Sequence, residues 1–223
     1  FVNKINGLFR DLKACSIQKR SLEKPVPHKS LNVFGRELEH IYLCLGTDGV
    51  SQIDSKRYCL YALNAIIGGS MSSHLFQEIR ENRGLVYNIY SYVNCYHDSG
   101  TFGISTSTSE EFIEEVLNLV KEEITRIKND GISDAEVAFS KEHIKGNLFI
   151  SLESSEARMG RLAKNEIYFG SYIALRETLR EIDNIKKSDV DEISKKIFKN
   201  PGSIPLTILG RTDKKLVSKI WKR

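Results

Sequence analysis

From residue 31 onward, the apolar positions fall first into short extended runs and then into helical repeats. "LNVFGRE" and "HIYLCLGT" are rich in strand formers, and the near-continuous apolar run of the second suits a strand buried on both faces. Asp54 is placed to cap a helix to about Ile67, which stops at Gly68-Gly69, where glycine tolerates the left-handed conformation of a helix end. Ser70, Ser72 and Ser73 offer N-caps for a second helix, "HLFQEIREN", ending at Arg83-Gly84. "LVYNIYSYVNCYHD" and "GTFGISTST", divided by "DSG", read as a hairpin or antiparallel pair. Thr108 and Glu111 form a capping-box pattern before "FIEEVLNLVKEEITRIKND", whose Phe112, Val116, Val120, Ile124 and Ile127 mark one helical face and which Gly131 closes. Ser133 and Glu136 repeat that pattern before a long, interrupted helical region, and two shorter helices from about Ala174 and Ser188 lead to a last strand, "SIPLTILG". The sum is an α+β fold: an antiparallel sheet with helices packed on one face.

The first 30 residues stand apart. Val2, Ile5, Leu8, Phe9 and Leu12 have helical spacing over residues 1–13, with no domain of their own to pack on. Cys15 to Ser30 is polar and carries Pro25 and Pro27, which reads as an extended linker. The expected division is therefore residues 1–30, a terminal helix and linker, and residues 31–223, the domain proper.

A chain of 223 residues, 40% hydrophobic and 28% charged, has enough apolar side chains for one well-formed core. Its longest apolar runs fall far short of the roughly 20 residues that cross a bilayer, so no membrane span is expected. Nothing in "FVNKINGLFRDLKACS" reads as a signal peptide, and cytoplasm is the expected location. Cys15, Cys44, Cys59 and Cys95 lack C-x-x-C spacing and read as reduced, mostly structural thiols. The net charge of +4 sits mainly in "KPVPHK" and "RTDKKLVSKIWKR", without a recognition motif or a basic stripe interleaved with aromatics, so nucleic acid is not an expected partner.

The sharpest chemical feature is the spacing of Arg80 and Tyr87. A helix end, an "NRG" reversal and a strand start would let both side chains point at one spot beyond the sheet edge. Arginine offers a planar fork of donors to a peptide carbonyl or carboxylate, and a tyrosine hydroxyl can donate to an oxygen that gains charge in acyl chemistry. The plain alternative pairs Arg80 with Glu78 or Glu81 and packs Tyr87 in the sheet. "GG" followed by serines resembles an anion cradle but lacks the P-loop lysine, and reads as a cap and tight turn. A zinc site from His74, Glu78 and His97 is conceivable, but surface or core roles suit these residues better.

"IIGGSMSSHLFQEIRENRGLVYNIYSY", "KEHIKGNLFISLESSEARMGRLAKNEIYFG" and the closing "PLTILG" resemble the C-terminal half of the M16 (pitrilysin-type) zinc metallopeptidases, most closely the bacterial processing-protease branch. The resemblance covers Leu31 to Arg211 and implies that Arg80 binds the substrate backbone, while Tyr87 serves both substrate binding and catalysis. It also implies that residues 1–30 are the last helix of a preceding, similarly folded domain and the linker out of it, and it implies a partner, an N-terminal half carrying an inverted zinc motif, H-x-x-E-H, and a distant glutamate ligand. None of the five histidines fits that motif, so no metal ligand is expected in this chain, and zinc would be bound by the partner half. The expected function is the substrate-binding half of a peptidase acting on short or unfolded peptides, inactive alone. The alternatives are a non-catalytic scaffold or pairing subunit of the same fold, and an unrelated basic module using the helix "KKLVSKIWKR" on an acidic partner.

Overall fold

The computed structural model describes residues 1–13, 25, 28 and 30–221. The expected linker lies largely outside these residues. Helix α1 (Val2–Phe9) is shorter than the predicted 1–13 and buries none of its residues.

Five strands form one sheet: β1 (Leu31–Gly35), β2 (Ile41–Asp48), β3 (Val86–Cys95), β4 (Gly100–Thr108) and β5 (Leu206–Gly210), in the order β1-β5-β2-β4-β3. β3 and β4 are the expected antiparallel hairpin, and β2 pairs antiparallel with both β4 and β5. Only β1 departs from this pattern, lying parallel to β5 at the far edge. The helices are α2 (Arg57–Ile67), α3 (Ile113–Asp130), α4 (Asp134–Ser151), α5 (Ser155–Phe169), α6 (Leu175–Asp183), α7 (Lys187–Ile197) and α8 (Lys214–Trp221), with a π-helix at Phe76–Glu81.

One face of the sheet carries the core. Ile41, Leu43 and Leu45 of β2 are at most 2% exposed, whereas Tyr42 is 51% exposed and Cys44 is also exposed. The expectation that β2 is buried on both faces is thus corrected: the helices cover one face, and strand alternation sends every second side chain to the open one. Phe102 and Ile104 of β4 join Leu60 and Leu63 of α2, and Val116, Val120, Ile124 and Ile127 of α3, in the same cluster. The predicted α3 stripe is therefore the buried one, with Phe112 partly buried at its start. Helix α8 closes the core through Val217, Ile220 and Trp221, and the Trp221 indole N–H donates to the Ile204 carbonyl at 2.9 Å. Its apolar face is already taken, which removes the reading of that helix as a free basic arm.

Local signals worked where no tertiary contact competed. Ser133 and Glu136 form the predicted reciprocal capping box at the start of α4. Thr108 and Glu111 do not, because Thr108 is the last residue of β4 and its hydroxyl donates to the Leu85 carbonyl at 2.7 Å, tying β4 to the chain entering β3. A 3-10 turn at Glu110–Phe112 then leads into α3. Asp54 accepts from the backbone N–H of Lys56 at 2.7 Å, ordering the turn before α2. The serine side chains do not cap the next helix: Ser73 Oγ donates to the Ser70 carbonyl and Ser70 Oγ to that of Ala65, bracing the turn instead.

Gly68 is needed for a different reason from the one its position suggests. Its φ of −160° is extended backbone open to any residue, not a left-handed helix end. What demands glycine is space, since a Cβ there would lie 2.6 Å from the backbone nitrogen of Ser91. The contact is also bonded: Ser91 N–H donates to the Gly68 carbonyl at 3.0 Å and Ser91 Oγ to the Asn64 carbonyl at 3.2 Å, clamping the end of α2 to the middle of β3. Gly68→Ala should therefore destabilise the chain by about 1–3 kcal/mol, the usual cost of overpacking. Urea denaturation checks this, and an unchanged midpoint would show that α2 and β3 can separate freely.

Candidate functional site

Arg80 and Tyr87 are brought together by two local irregularities. The first is the π-helix, whose wider turn is shown by the Asn82 N–H donating to the Gln77 carbonyl at 2.9 Å. Such turns re-space side chains that a regular helix would place differently. The chain then reverses at Gly84, whose φ of +66° lies in the left-handed region that favours glycine, and the Leu85 N–H returns to the Ile79 carbonyl at 3.0 Å.

The second irregularity is a β-bulge in β3. Val86 faces Thr108 and Ile89 faces Thr106, so β3 takes three steps where β4 takes two. Thr106 Oγ1 donates to the Asn88 carbonyl at 2.8 Å and braces the extra residue. Tyr87 and Asn88 drop out of the ladder, and Tyr87 is 87% exposed at the free edge of the sheet. A bulge of this kind re-aims a side chain.

Arg80 reaches this edge directly. Its Nε donates to the Tyr87 backbone carbonyl at 2.8 Å, one terminal nitrogen meets Glu81 at 2.7 Å, and its guanidinium lies 4.6 Å from the centre of the Phe76 ring. The plain alternative was half right: Arg80 does pair with Glu81, but Glu78 binds Arg83 instead, and Tyr87 does not pack in the sheet. The result is an exposed tyrosine side chain on β3 whose backbone carbonyl is held by a guanidinium from the preceding π-helix. Both can donate to the backbone of an extended chain laid along the sheet edge.

Sequence reasoning missed what anchors this loop. His74, just before the π-helix, lies with Nδ1 at 2.6 Å from Glu123 of α3 and Nε2 at 2.5 Å from Glu136 of α4. Arg126 reinforces Glu123 at 2.7 Å, and Arg83 bridges Glu78 to Glu115 of α3 at 2.8 and 3.1 Å. No local signal could have announced these pairs, because the carboxylates come from helices far along the chain. The three residues of the conceivable zinc site are dispersed: His74 is held by its carboxylates, Glu78 by Arg83, and the His97 ring stacks on Tyr168 with centroids 6.5 Å apart. No group of three or more metal-ligating side chains forms among the described residues.

Comparison with known proteins places the chain in a family. The sequence profile of the peptidase M16 inactive domain matches residues 1–143. The uncharacterized zinc protease YmxG of Bacillus subtilis is 37% identical over 79% of this chain and 43% of its own length. An uncharacterized zinc protease of Streptomyces coelicolor is 30% identical over 96% of this chain and 47% of its own. The crystal structure of a peptidase M16 inactive domain from Pseudomonas fluorescens superposes with a TM-score of 0.77 at 24% identity, over 87% of this chain and 46% of that one. A chain of complex III2 from Candida albicans gives 0.78 at 21% identity, over 97% and 55% respectively. The fold is thus that of an M16-type domain. This chain is a member of the peptidase M16 inactive-domain family, and it spans about half the length of the curated relatives it matches.

The His74 cluster makes the anchor pH-dependent. Burial, the largest single influence on His74, disfavours its charge, but the bonds and fields of Glu123 and Glu136 outweigh burial and the opposing Arg126 and raise its pKa. Burial likewise opposes ionisation of Glu123, yet His74 and Arg126 bring its pKa down to about 2. With the folded value above the unfolded 6.5, the histidine's contribution to stability is complete below about pH 6.5 and is lost as pH rises through the elevated value. His74→Gln should cost about 1–3 kcal/mol near pH 6 and less at alkaline pH. Melting temperatures of both proteins across that range test this; parallel curves would show that His74 stays neutral.

Proposed function

We propose that this chain is the substrate-binding half of a zinc metallopeptidase that cleaves short or unfolded peptides, and that it acts only with a zinc-bearing N-terminal half. The observation that carries the reading is the placement of Arg80 and Tyr87 on one bulged, solvent-facing sheet edge. Membership of the M16 inactive-domain family supports it, as do the names of longer relatives that are zinc proteases. The chain contains no H-x-x-E-H sequence, and His74 is already taken up by two carboxylates, so its own residues do not fit a catalytic zinc. When bound in the partner half, zinc would supply Lewis-acid chemistry and an activated water.

In this reading, Arg80 holds the carbonyl of an extended peptide with the part of its fork not used on Tyr87 and Glu81. The Tyr87 hydroxyl donates to the carbonyl oxygen as it gains negative charge. A freely exposed phenol is suited to that task because it waits for a substrate brought against it by the other half. The apolar stripe of α1, with Val2, Leu8 and Phe9 all well exposed, is the surface a preceding domain would cover. Among the described residues no helix is long and apolar enough to cross a membrane, and a cytoplasmic location goes with the proposal.

Hydrolysis of a quenched fluorescent peptide, by the chain alone and then with the polypeptide that precedes it or is encoded beside it, tests the reading. Activity should appear only in the mixture and vanish with chelator; a stable but silent complex would favour the scaffold. Tyr87→Phe should lower turnover in the assembled enzyme by about two to three orders of magnitude. Full activity in that variant would exclude the oxyanion role. Arg80→Ala should raise KM as well as lower kcat, because it removes binding made before the chemical step; an unchanged KM would make Arg80 structural.

A further inference from the structure

A concavity lies among α2, α4, α5 and α6, with a volume of about 440 Å³, and neither Arg80 nor Tyr87 lines it. Its apolar walls include Ile144 and Leu148 of α4, Phe169 of α5 and Ile182 of α6. Its charged lining is entirely cationic, comprising Arg57, Arg161 and Lys164, with no aspartate or glutamate. Arg57 is buried between the Tyr58 and Phe169 rings, 4.4 and 5.3 Å from their centres, and is neutralised at 2.5 Å by Glu181 outside the lining. The other two cations lack such compensation. Arg161 donates to the Thr178 hydroxyl at 2.8 Å, and neither it nor Lys164 has a carboxylate partner among the described residues.

These features specify a ligand chemistry. Arg161 and Lys164 stand one helical turn apart on α5 and so present adjacent donors to one anionic group. Arg161 is half-buried against the apolar wall, which lowers the local dielectric there and rewards burial of an apolar body, while Lys164 stands exposed at the mouth. The volume lies in the range of small-ligand sites, roughly 300–1,000 Å³. Gly160 lines the pocket from α5, and an added Cβ there would meet nothing within 4 Å, so a larger side chain could enter the space.

We propose that this pocket binds a carboxylate carried on an apolar body, the chemistry shared by the C-terminal residue of a hydrophobic peptide and by a free arylalkanoic acid. The proposal stands independently of the peptidase reading. It is tested by NMR titration of the 223-residue chain with N-acetyl-L-phenylalanine, 3-phenylpropionate and N-acetyl-L-phenylalaninamide. Both acids should bind, shifting resonances of α5 and α6, and the neutral amide should bind at least about tenfold more weakly, as expected for loss of a charge-assisted hydrogen bond. Tighter binding of N-acetyl-L-phenylalanine than of 3-phenylpropionate identifies a peptide terminus as the source; the reverse order or equal binding identifies a free acid. Arg161→Gln combined with Lys164→Gln should weaken the acids by about tenfold. Gly160→Leu should intrude on the pocket and weaken binding while leaving the melting temperature equal or higher, because leucine is the better helix former. Equal binding of the amide, acid affinities weaker than about 10 mM, or undiminished binding by Gly160→Leu would each overturn the proposal.

Discussion

Ile208 sits opposite Val33 on one side and Leu43 on the other, so the last strand enters between the first two and joins the ends of the domain. Everything else is arranged around the sheet that this insertion closes. With β5 in place, the inward positions of β2, β4 and β5 make one apolar surface, and α2, α3, α7 and α8 bury against it. The hydrophobic effect rewards that burial on one side only, which leaves Tyr42, Cys44 and Tyr90 on an open face.

The candidate site lies at the edge farthest from β1, where regular geometry breaks several times within a short stretch. The end of α2 touches β3 through Gly68, the following helix widens into a π-turn, Gly84 reverses the chain, and β3 begins with a bulge. Each irregularity has its own stabilising partner: Ser91, His74 with its two carboxylates, the Leu85–Ile79 bond, and the hydroxyls of Thr106 and Thr108. Together they hold Tyr87 out of the ladder with the Arg80 guanidinium against its carbonyl. A regular strand would have paired Tyr87 into the sheet. A regular helix would have given Arg80 a different angle of approach.

Much of this was legible because periodicity reports burial directly. The α3 stripe, the Ser133–Glu136 box, the β3–β4 hairpin and the closing strand all follow from spacing that tertiary contacts reinforce. Errors arose where a residue with a strong local preference was recruited by a distant segment. Thr108 resembles a cap but bonds to Leu85, and Gly68 resembles a helix terminator but makes room for Ser91. The β2 run is apolar enough for two buried faces, yet Tyr42 and Cys44 lie outside because no layer covers them.

The sequence by itself determined the element types, the two β-rich runs and the helices that flank them, and the nearness of Arg80 to Tyr87, since residues seven apart across a tight turn cannot stray far. Only the tertiary structure decided which sheet face is covered, where β1 pairs, that Tyr87 points into solvent, and that His74 meets carboxylates from two other helices. It also decided that three cations of α2 and α5 share one pocket. The reason is physical: local spacing sets backbone preference and burial periodicity, whereas strand order and charge pairing depend on contacts whose partners are far apart in the chain.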